Sequence, residues 1–474
     1  MSIFVNNKPG IFIRRHRGDD LPDTYNVMGA SWDKGATPTL TRTDYAEGKT
    51  AQVGVDGGGA TNHFDLMPIF RDIHDVEDEY GNIFMRFPKH YIKKTDDPWY
   101  RGVCLAHRPG FYRPYSFWDF AWNKELPYVD IAKYPASLSD DGQRLESKPG
   151  KYPLVNRTLP QMRTLAQNNN VNGQTGYQLL DIHGNDILDT LMYIEFATLN
   201  MQSVMNGYVN GRYFNTDTAV VAENGVNRII VSSATGANYR VGQAISIHLA
   251  SQSATLYTLP NTYGRTITVI DANTPEAGQT AISFDGAPVN IAVNDIIINS
   301  GWKNGFSAEI AASSGSIVSN SDGKYPCCYR GIENPYGNVF QWIDGVNVND
   351  YQAWVCANAN SYASNVFAHP YEQLGYINHN ANNYIQAMGW DAEKPFAEFP
   401  VAVQASSVQY YCDYYAQNTG QRVALVGGSW RSGAAAGPVC WFFNSASSAA
   451  NVDIGARLLR KASYGVRGVS PRIF

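Results

Sequence analysis

The chain has 474 residues with a formal net charge of −5; 17% of its residues are charged and 13% are aromatic. At about 150 residues per domain, this length corresponds to two to four domains or one large elaborated domain. The low, slightly acidic charge argues against a general nucleic-acid binder, because phosphate backbones attract clustered cations. No stretch approaches the ~20 apolar residues that cross a bilayer, so we expect a soluble protein without membrane insertion.

The N-terminal sequence and the cysteine spacing indicate the cellular compartment in which the protein is made. The opening MSIFVNNKPG lacks a charged segment followed by an apolar one, so we expect no signal peptide and synthesis in the cytoplasm. Six cysteines are spread thinly and form no CxxC pair or zinc spacing. Such a set is not a disulfide framework, and most of these residues are expected to be buried thiols.

Residues 1–60 are predicted to form short strands and loops that attach or oligomerise the protein. Their end contains Gly57-Gly58-Gly59, which favours a flexible or sharp turn. A phosphate cradle is the alternative, but the GxxxxGK[ST] pattern and its lysine are missing. The basic cluster at 14–17 (RRHR) is interpreted as a solvated turn, with docking to an acidic partner as the alternative.

Alternating apolar and polar residues run from Tyr80 to Lys94 (YGNIFMRFPKHYIKK) after a Tyr-Gly-Asn turn. This period predicts a half-buried strand. A related turn and strand, YGNVFQWIDG, recurs at 336–345. The acidic run at 72–79 carries oxygen ligands that suit Ca²⁺, but it lacks the alternating spacing and glycine of a calcium loop. A solvated face is therefore the favoured interpretation.

Two helices are predicted in a chain otherwise dominated by strands and turns. The first spans Leu159–Asn168 and follows Thr158, a good N-cap residue. The second spans Ile187–Met205, where apolar residues recur mostly at three- and four-residue steps. Either Asn185 or Asp186 is expected to cap it.

The composition changes between residues 213 and 324 to Val, Ile, Thr, Ala and Ser with regular turns. This pattern predicts six or so short antiparallel strands. We interpret the region as a separate β module inserted into the main domain, which resumes at residue 325. Its role is open between a spacer, a second binding site and an inter-subunit contact.

Three C-terminal segments are informative because of their order and spacing: GNVFQW at 337–342, VGGSW at 426–430 and IGAR at 454–457. Together they resemble the C-type-lectin-like fold of formylglycine-generating-enzyme-type proteins, whose signatures read GNVWEW, RGGSW and GFR. The segment 425–459 is similar to the variable region of phage tropism determinants and related phage structural proteins, including those diversified by retroelements.

This resemblance covers most of residues 60–207 and 325–474. It implies an α+β fold in which a C-type-lectin-like domain packs two helices against twisted antiparallel sheets. The domain is then split into residues 61–212 and 325–474 by the inserted all-β module at 213–324, and residues 1–60 precede it. The second part, 325–474, is expected to carry the ligand-binding surface.

The segment after the VGGSW motif has the physical character of a display surface. Its glycines permit tight turns, Trp430 is a large anchor, and Ile454 with Leu458 and Leu459 can bury a closing strand. The small side chains between these anchors show no core pattern, and filling of an irregular loop region is the alternative interpretation. In the resembled tropism determinants the matching positions vary and contact the receptor, which implies ligand binding by Ser429, Arg431, Ser432, Ala434, Ala435, Pro438, Cys440, Phe442, Ser445, Ala449, Val452 and Asp453.

The resembled fold also includes an oxidase that converts a sulfatase cysteine to formylglycine with two copper-binding cysteines after the GGS motif. Here the corresponding positions are about Ser432 and Gly437, and Cys440 is a lone thiol of the kind usually found in a core. The nine histidines contain no HxH or HExxH pattern. We therefore predict no catalytic residues, no enzyme activity and no cofactor. A structural Ca²⁺ is left open without ligands that can be named.

The resemblance implies a phage virion protein of the tail-fibre, tail-tip or head-fibre type that recognises a host cell-surface polysaccharide or protein receptor without turnover. It also suggests a homotrimer that contacts other virion proteins, and several copies would convert weak sites into avidity. One alternative is a decoration or collar protein whose lectin-like surface binds another virion subunit. The other is an iron- or copper-dependent enzyme of the formylglycine-generating type.

Overall fold

A computed structural model describes residues 26–54, 61–171, 175–317, 320–375, 377 and 381–462. The glycine run at 57–59 and the basic cluster at 14–17 lie outside these residues, so both stay predictions. The described chain is mostly β-sheet with few helices. This agrees with the predicted mixture of a few helices and many strands.

The helices of the described chain are α1 (Leu159–Gln167), α2 (Ile182–Phe196) and the short α3 (Ser233–Gly236). The strands before the module are β1 (Met28–Trp32), β2 (Thr41–Asp44), β3 (His74–Glu77), β4 (Ile83–Pro88), β5 (Tyr91–Asp96), β6 (Trp99–Cys104), β7 (Trp118–Asp119), β8 (Lys124–Glu125), β9 (Tyr128–Ala132), β10 (Ser137–Leu138), β11 (Leu145–Glu146) and β12 (Tyr177–Leu179). Those within residues 213–324 are β13 (Glu223–Val226), β14 (Arg228–Ser232), β15 (Ala244–His248), β16 (Thr262–Ala272), β17 (Gln279–Phe284), β18 (Val289–Ile291), β19 (Ile296–Asn299) and β20 (Gly315–Ser316). The later strands are β21 (Cys327–Tyr329), β22 (Ile332–Glu333), β23 (Phe340–Asn349), β24 (Gln352–Val355), β25 (Glu372–Gln373), β26 (Asn383–Gly389), β27 (Phe399–Val403), β28 (Tyr414–Gln417), β29 (Gln421–Gly427), β30 (Gly437–Ser445), β31 (Ile454–Gly455) and β32 (Leu458–Lys461).

Helix α1 begins where the sequence predicted it. The Thr158 hydroxyl accepts a hydrogen bond from the backbone N–H of Gln161 at 3.3 Å. In return, the Gln161 side-chain oxygen accepts from the backbone N–H of Thr158 at 3.0 Å. This reciprocal pair satisfies two N–H groups that a helix start otherwise leaves free. The predicted cap is therefore confirmed, and the helix ends one residue before the predicted boundary.

Helix α2 was predicted correctly as an element but with wrong bounds. Asp181 caps it by accepting from the backbone N–H of Gly184 at 2.9 Å, so Asn185 and Asp186 lie inside the helix. It ends at Phe196 because Ala197 turns into the left-handed region with φ 51°. Almost every side chain of α2 is buried, and a helix that is buried on all sides gives a weak amphipathic signal for its ends.

The largest sheet brings the three C-terminal motifs side by side. Its strand order is β25-β24-β23-β29-β30-β28-β26-β27, and β31 pairs with β23 in parallel. Gln341 in the first motif lies opposite Val426 of the second motif on one edge and opposite Gly455 of the third on the other. Sequence segments far apart along the chain therefore form one continuous strip of sheet.

The predicted strand from Tyr80 to Lys94 is two strands in two sheets. Strand β4 belongs to the sheet of order β12-β32-β9-β4-β3, whereas β5 belongs to the sheet β2-β1-β6-β5. Lys89 and His90 separate the two strands and belong to neither. The alternation continues across this break, so the sequence period alone did not reveal the change of sheet. In the first of these sheets, Leu458 and Leu459 are fully buried in β32, as predicted for the closing strand.

Residues 213–324 contain a five-stranded antiparallel sheet of order β14-β17-β16-β15-β19 and the pair β13-β18. The predicted short antiparallel strands are therefore present. Their inner faces form an apolar cluster of their own around Ile229, Ile245 and Ile282. A second cluster connects the strands to the rest of the chain and consists of Tyr208, Leu256, Ile296, Ile298, Trp302 and Trp430. The β module thus packs directly against the VGGSW turn.

Arg457, the last residue of the third motif, joins distant parts of the domain. Its guanidinium is fully buried, and burial lowers its pKa to about 10. It donates hydrogen bonds to Gln341 Oε1 and to the carbonyl oxygens of Ala132, Lys133, Glu333 and Asn334. A rigid planar donor is needed here because the five acceptors come from three separate segments.

All six cysteines are buried free thiols, which confirms that prediction. Within the described residues, no helix combines the length and apolar character needed to cross a membrane.

Candidate functional site

The turn between β29 and β30 depends on two glycines. Gly427 and Gly428 have φ values of 94° and 75°, in the left-handed region that favours glycine. A Cβ atom on Gly428 would lie 2.7 Å from the Cβ of Ala436, so a larger residue cannot enter without a shift. Directly after the turn, Trp430 is fully buried, which confirms its prediction as an anchor.

A buried carboxylate fixes the loop that follows this turn. Asp453 Oδ2 accepts from Arg431 Nε at 2.7 Å and from the Ser429 hydroxyl at 3.1 Å. The Ser432 hydroxyl oxygen accepts from the backbone N–H of Ser429 at 2.9 Å. Asp453 is 1% exposed, so it holds the loop from behind and does not reach its surface.

The twelve predicted binding residues fall into a buried and an accessible group. The side chains buried in this structure are Ser429, Pro438, Cys440, Val452 and Asp453. Those at least partly accessible are Arg431, Ser432, Ala434, Ala435, Phe442, Ser445 and Ala449. Because these five side chains are buried, they belong to the framework that supports the surface.

The accessible residues do not form one patch. Residues 431–435 precede the start of β30, whereas Ser445 is the last residue of that nine-residue strand. Phe442 packs its ring against Phe340 at 4.8 Å between centroids. Near Ala449, the carbonyl of Ser447 accepts from the backbone N–H of Leu159, so this end lies at the start of α1. The loop at 431–435 is therefore the coherent candidate surface, and we call it the display loop.

The display loop forms one wall of a groove of about 450 Å³. The opposite wall comes from residues 210–214, where the chain enters the β module, together with Asn238 and Lys324. Tyr213 packs on Trp430 with 5.7 Å between ring centroids. The backbone N–H of Gly211 donates to the carbonyl of Trp430 at 2.5 Å. These contacts fix both walls of the groove relative to each other.

Sequence reasoning did not include the module wall in the predicted site. The available signal was GRYF at 211–214, where an arginine stands beside two aromatic residues at the start of the module. Arg212 lies over the ring of Phe214, with 4.3 Å from guanidinium carbon to ring centroid. On the facing wall, Arg431 lies over the ring of Tyr213 at 4.7 Å. Two arginine–aromatic pairs thus border the groove.

Cys440 and the acidic run at 72–79, the candidates for redox chemistry and for metal binding, lie in surroundings that indicate structural roles. Cys440 is fully buried, and burial raises the pKa of its thiol well above the usual value. In the acidic run, Asp78 accepts hydrogen bonds from the backbone N–H groups of Tyr80 and Asn82, and Asp75 pairs with Lys133 at 3.0 Å. Asp78 is buried in that turn, so the run is only partly a solvated face. Within the described residues, no group of three His, Cys, Asp or Glu side chains is placed to hold a metal.

Neither a protein-family model nor a curated protein sequence matches this chain. The chemistry of the site is that of the groove itself: guanidinium, ammonium and amide donors beside accessible aromatic rings. Such groups recognise polar and ring-shaped ligands through hydrogen bonds and stacking.

Proposed function

We propose that this chain is a phage receptor-binding protein of the tail-fibre, tail-tip or head-fibre type. It recognises a host cell-surface receptor non-covalently, with a polysaccharide or a protein as the receptor. The C-type-lectin-like fold is part of this proposal. It is supported by the motif resemblance and by the position of the GNVFQW, VGGSW and IGAR segments as neighbours in one sheet.

The observation that carries the proposal is a fixed backbone with accessible, exchangeable side chains in the display loop. Gln202 Nε2 donates to the carbonyl oxygens of Gly433 at 3.1 Å and Ala436 at 2.5 Å. The backbone N–H of Gly433 donates to the carbonyl of Val209 at 2.8 Å. Backbone hydrogen bonds and the buried Asp453 hold the loop, while Arg431 and Ala434 stay exposed.

This arrangement suits recognition, because a pre-organised loop loses little conformational entropy when it binds. The side chains of Ala434 and Ala435 can change without loss of the frame, since the frame is held by backbone hydrogen bonds and by the side chains of Gln202, Ser432, Arg431 and Asp453. A homotrimer attached to other virion proteins would add avidity to a weak single site. Residues 26–54 belong to the proposed attachment region, and β1 and β2 place part of it in a sheet with β5 and β6.

The test is adsorption of the labelled, purified full chain to a panel of bacterial cells. Ala434→Trp adds bulk at an exposed position of the display loop without entering the core. We expect this variant to lose at least about tenfold in adsorption to the strain that binds the wild type, a loss of about 1.4 kcal/mol. Ala277→Trp is the matched control, because Ala277 is also exposed but lies in the turn between β16 and β17.

Equal thermal unfolding of both variants would show that the fold is retained. Equal adsorption by Ala434→Trp, Ala277→Trp and the wild type would contradict binding through the display loop. Binding to purified virion subunits in place of cells would favour the decoration or collar function.

A further inference from the structure

The charged side chains that line the groove between the display loop and the β module are positive. Its cations are Arg212, Lys324 and Arg431, and among the described residues that line it there is no carboxylate. The carboxylates that pair with the two arginines, Asp217 and Asp453, are buried behind them. The accessible side of each ion pair is therefore its guanidinium.

Both arginines keep donor capacity outside their ion pairs. Arg212 engages Asp217 through Nε and Nη2, at 2.8 Å each, which leaves the Nη1 group outside the pair. Arg431 engages Asp453 through Nε alone, so both of its terminal nitrogens lie outside that bond. Their side chains are 25% and 36% exposed. Guanidinium groups fixed in this way present N–H donors in a geometry that matches a carboxylate.

Lys324 adds a third positive charge. Its ammonium donates to the carbonyl of Asn238 at 3.1 Å. Burial lowers the pKa of Lys324, and the neighbouring Arg240 and Arg212 lower it further against the opposing effect of Asp322. Arg240 and Arg212 act in this direction because nearby cations disfavour another cation.

An accessible aromatic ring stands beside these cations. Phe214 is 51% exposed, and Arg212 orients it by lying over one face. The ring adds an apolar contact face to a groove whose other lining groups are mainly polar. An aromatic ring offers an apolar face to the C–H face of a sugar ring, while the cations are placed for a charged substituent on the same sugar.

We infer that this groove binds an acidic saccharide, a carboxylated sugar unit of a cell-surface polysaccharide. The inference rests on the proposed receptor-binding function and names the ligand class. The sugar carboxylate pairs with the free guanidinium nitrogens of Arg212 and Arg431 and with the Lys324 ammonium, and the ring packs on Phe214. The groove volume of about 450 Å³ lies in the range of small-ligand sites.

Direct titration of the full chain with three carboxylated probes tests this inference. The probes are oligogalacturonate, hyaluronan oligosaccharide and oligosialic acid, each compared with its methyl ester. The ester keeps the sugar and removes the charge. We expect at least one acid to bind at least about tenfold more tightly than its ester, and this affinity to fall with added salt because the contacts are electrostatic.

Two variants place the binding in the groove. Phe214→Ala removes the accessible ring and Lys324→Gln removes the third charge, and each is expected to weaken binding of the acid about five- to tenfold. Arg228→Gln is the matched control, because Arg228 forms a surface ion pair with Glu223 in the same module but does not line the groove. Thermal unfolding of all three variants checks that they fold.

The inference is overturned if none of the acids binds, if acids and esters bind equally, or if Phe214→Ala and Lys324→Gln bind like the wild type. If acetate or inorganic phosphate displaces the acidic oligosaccharides as effectively as the unlabelled oligosaccharides do, the groove is an anion site without sugar recognition. This result would also overturn the inference. Cell adsorption that depends on Ala434 but not on Phe214 or Lys324 leaves the receptor-binding proposal standing without this ligand class. If the acids bind in solution but the protein adsorbs to no cell, the receptor-binding proposal is contradicted, whereas the groove stands as a binding site for acidic saccharides.

Discussion

Arg431 and Asp453 lie 22 residues apart and form an ion pair of 2.7 Å at the base of the display loop. The sequence predicts both residues as ligand contacts. The pair has an inner and an outer member, since Asp453 is buried and Arg431 lies at the surface. The carboxylate is therefore a structural support, and the guanidinium is the member that a ligand can reach.

Replacement of this support should destabilise the protein. Asp453→Ala leaves the Arg431 guanidinium and the Ser429 hydroxyl without their shared acceptor, and we expect a loss of about 2 kcal/mol in the free energy of unfolding. Urea denaturation measures it. Glu223→Ala breaks the exposed pair with Arg228 and should cost under about 1 kcal/mol. Equal losses in the two variants would refute a special role for Asp453.

Arg457→Lys should be more damaging than its chemical similarity suggests. A single ammonium cannot reach the five acceptors that the guanidinium contacts. We expect a loss of about 3 kcal/mol, because several buried oxygens lose their donors. Arg228→Lys, at a more exposed site, should change the urea midpoint little. A midpoint for Arg457→Lys within error of the wild type would contradict this account.

Gly437 is required by close packing at the start of β30. A Cβ atom there would lie 1.9 Å from Asp413 Oδ1, which real atoms do not approach. Gly437→Ala must therefore displace the Asp413 carboxylate, whose other oxygen accepts from the backbone N–H of Val439 at 2.9 Å. We expect a loss of about 3 kcal/mol or failure to fold.

Gly375→Ala is the control for this substitution. The nearest atom to a Cβ at Gly375 is Asp391 Oδ1 at 3.8 Å, an ordinary contact distance. This variant should unfold at or slightly above the wild-type temperature, because alanine restricts the unfolded chain. Comparable melting temperatures for the two alanine variants would show that the contact at Gly437 relaxes without cost.

The contribution of His90 to the stability of the protein should fall as the pH is lowered from 6.5 to 4. Burial lowers the pKa of His90 to about 4, and its Nδ1 contacts the carbonyl oxygen of Pro88 at 2.8 Å. In the unfolded chain the His90 imidazole is protonated near pH 6.5, whereas in the folded chain it is protonated only near pH 4. Stability from this group is thus complete above pH 6.5 and lost through pH 4, with a total of about 3 kcal/mol.

Variant His90→Asn tests this linkage. Asparagine keeps a donor for the carbonyl of Pro88 but does not titrate, so its free energy of unfolding should fall less between pH 6.5 and 4. Burial also lowers the pKa of His183 and of His248 to about 4, so part of the slope remains. Urea denaturation at a series of pH values measures the difference. An unchanged slope would refute the assignment to His90.

Much of the local structure could be predicted from the sequence because its determinants are short-range. The cap at Thr158 and the proline in the first turn place the start of α1 through contacts within one helical turn. Buried cysteines and the anchor Trp430 follow from side-chain polarity and size. The order of the C-terminal motifs led to a candidate surface, and residues 431–435 do lie on an accessible loop.

The rest depended on contacts between distant segments. Inside and outside faces of the segment 429–453 are set by the pairing of β30 with β29 and by Asp453 turning inward, and neither leaves a local pattern. The groove requires Tyr213 from the module to meet Trp430 from the main domain, more than 200 residues later. Sequence periodicity reports how a residue relates to its near neighbours. The tertiary structure alone decides which distant segment of the chain a residue faces, because that depends on long-range strand pairing and packing.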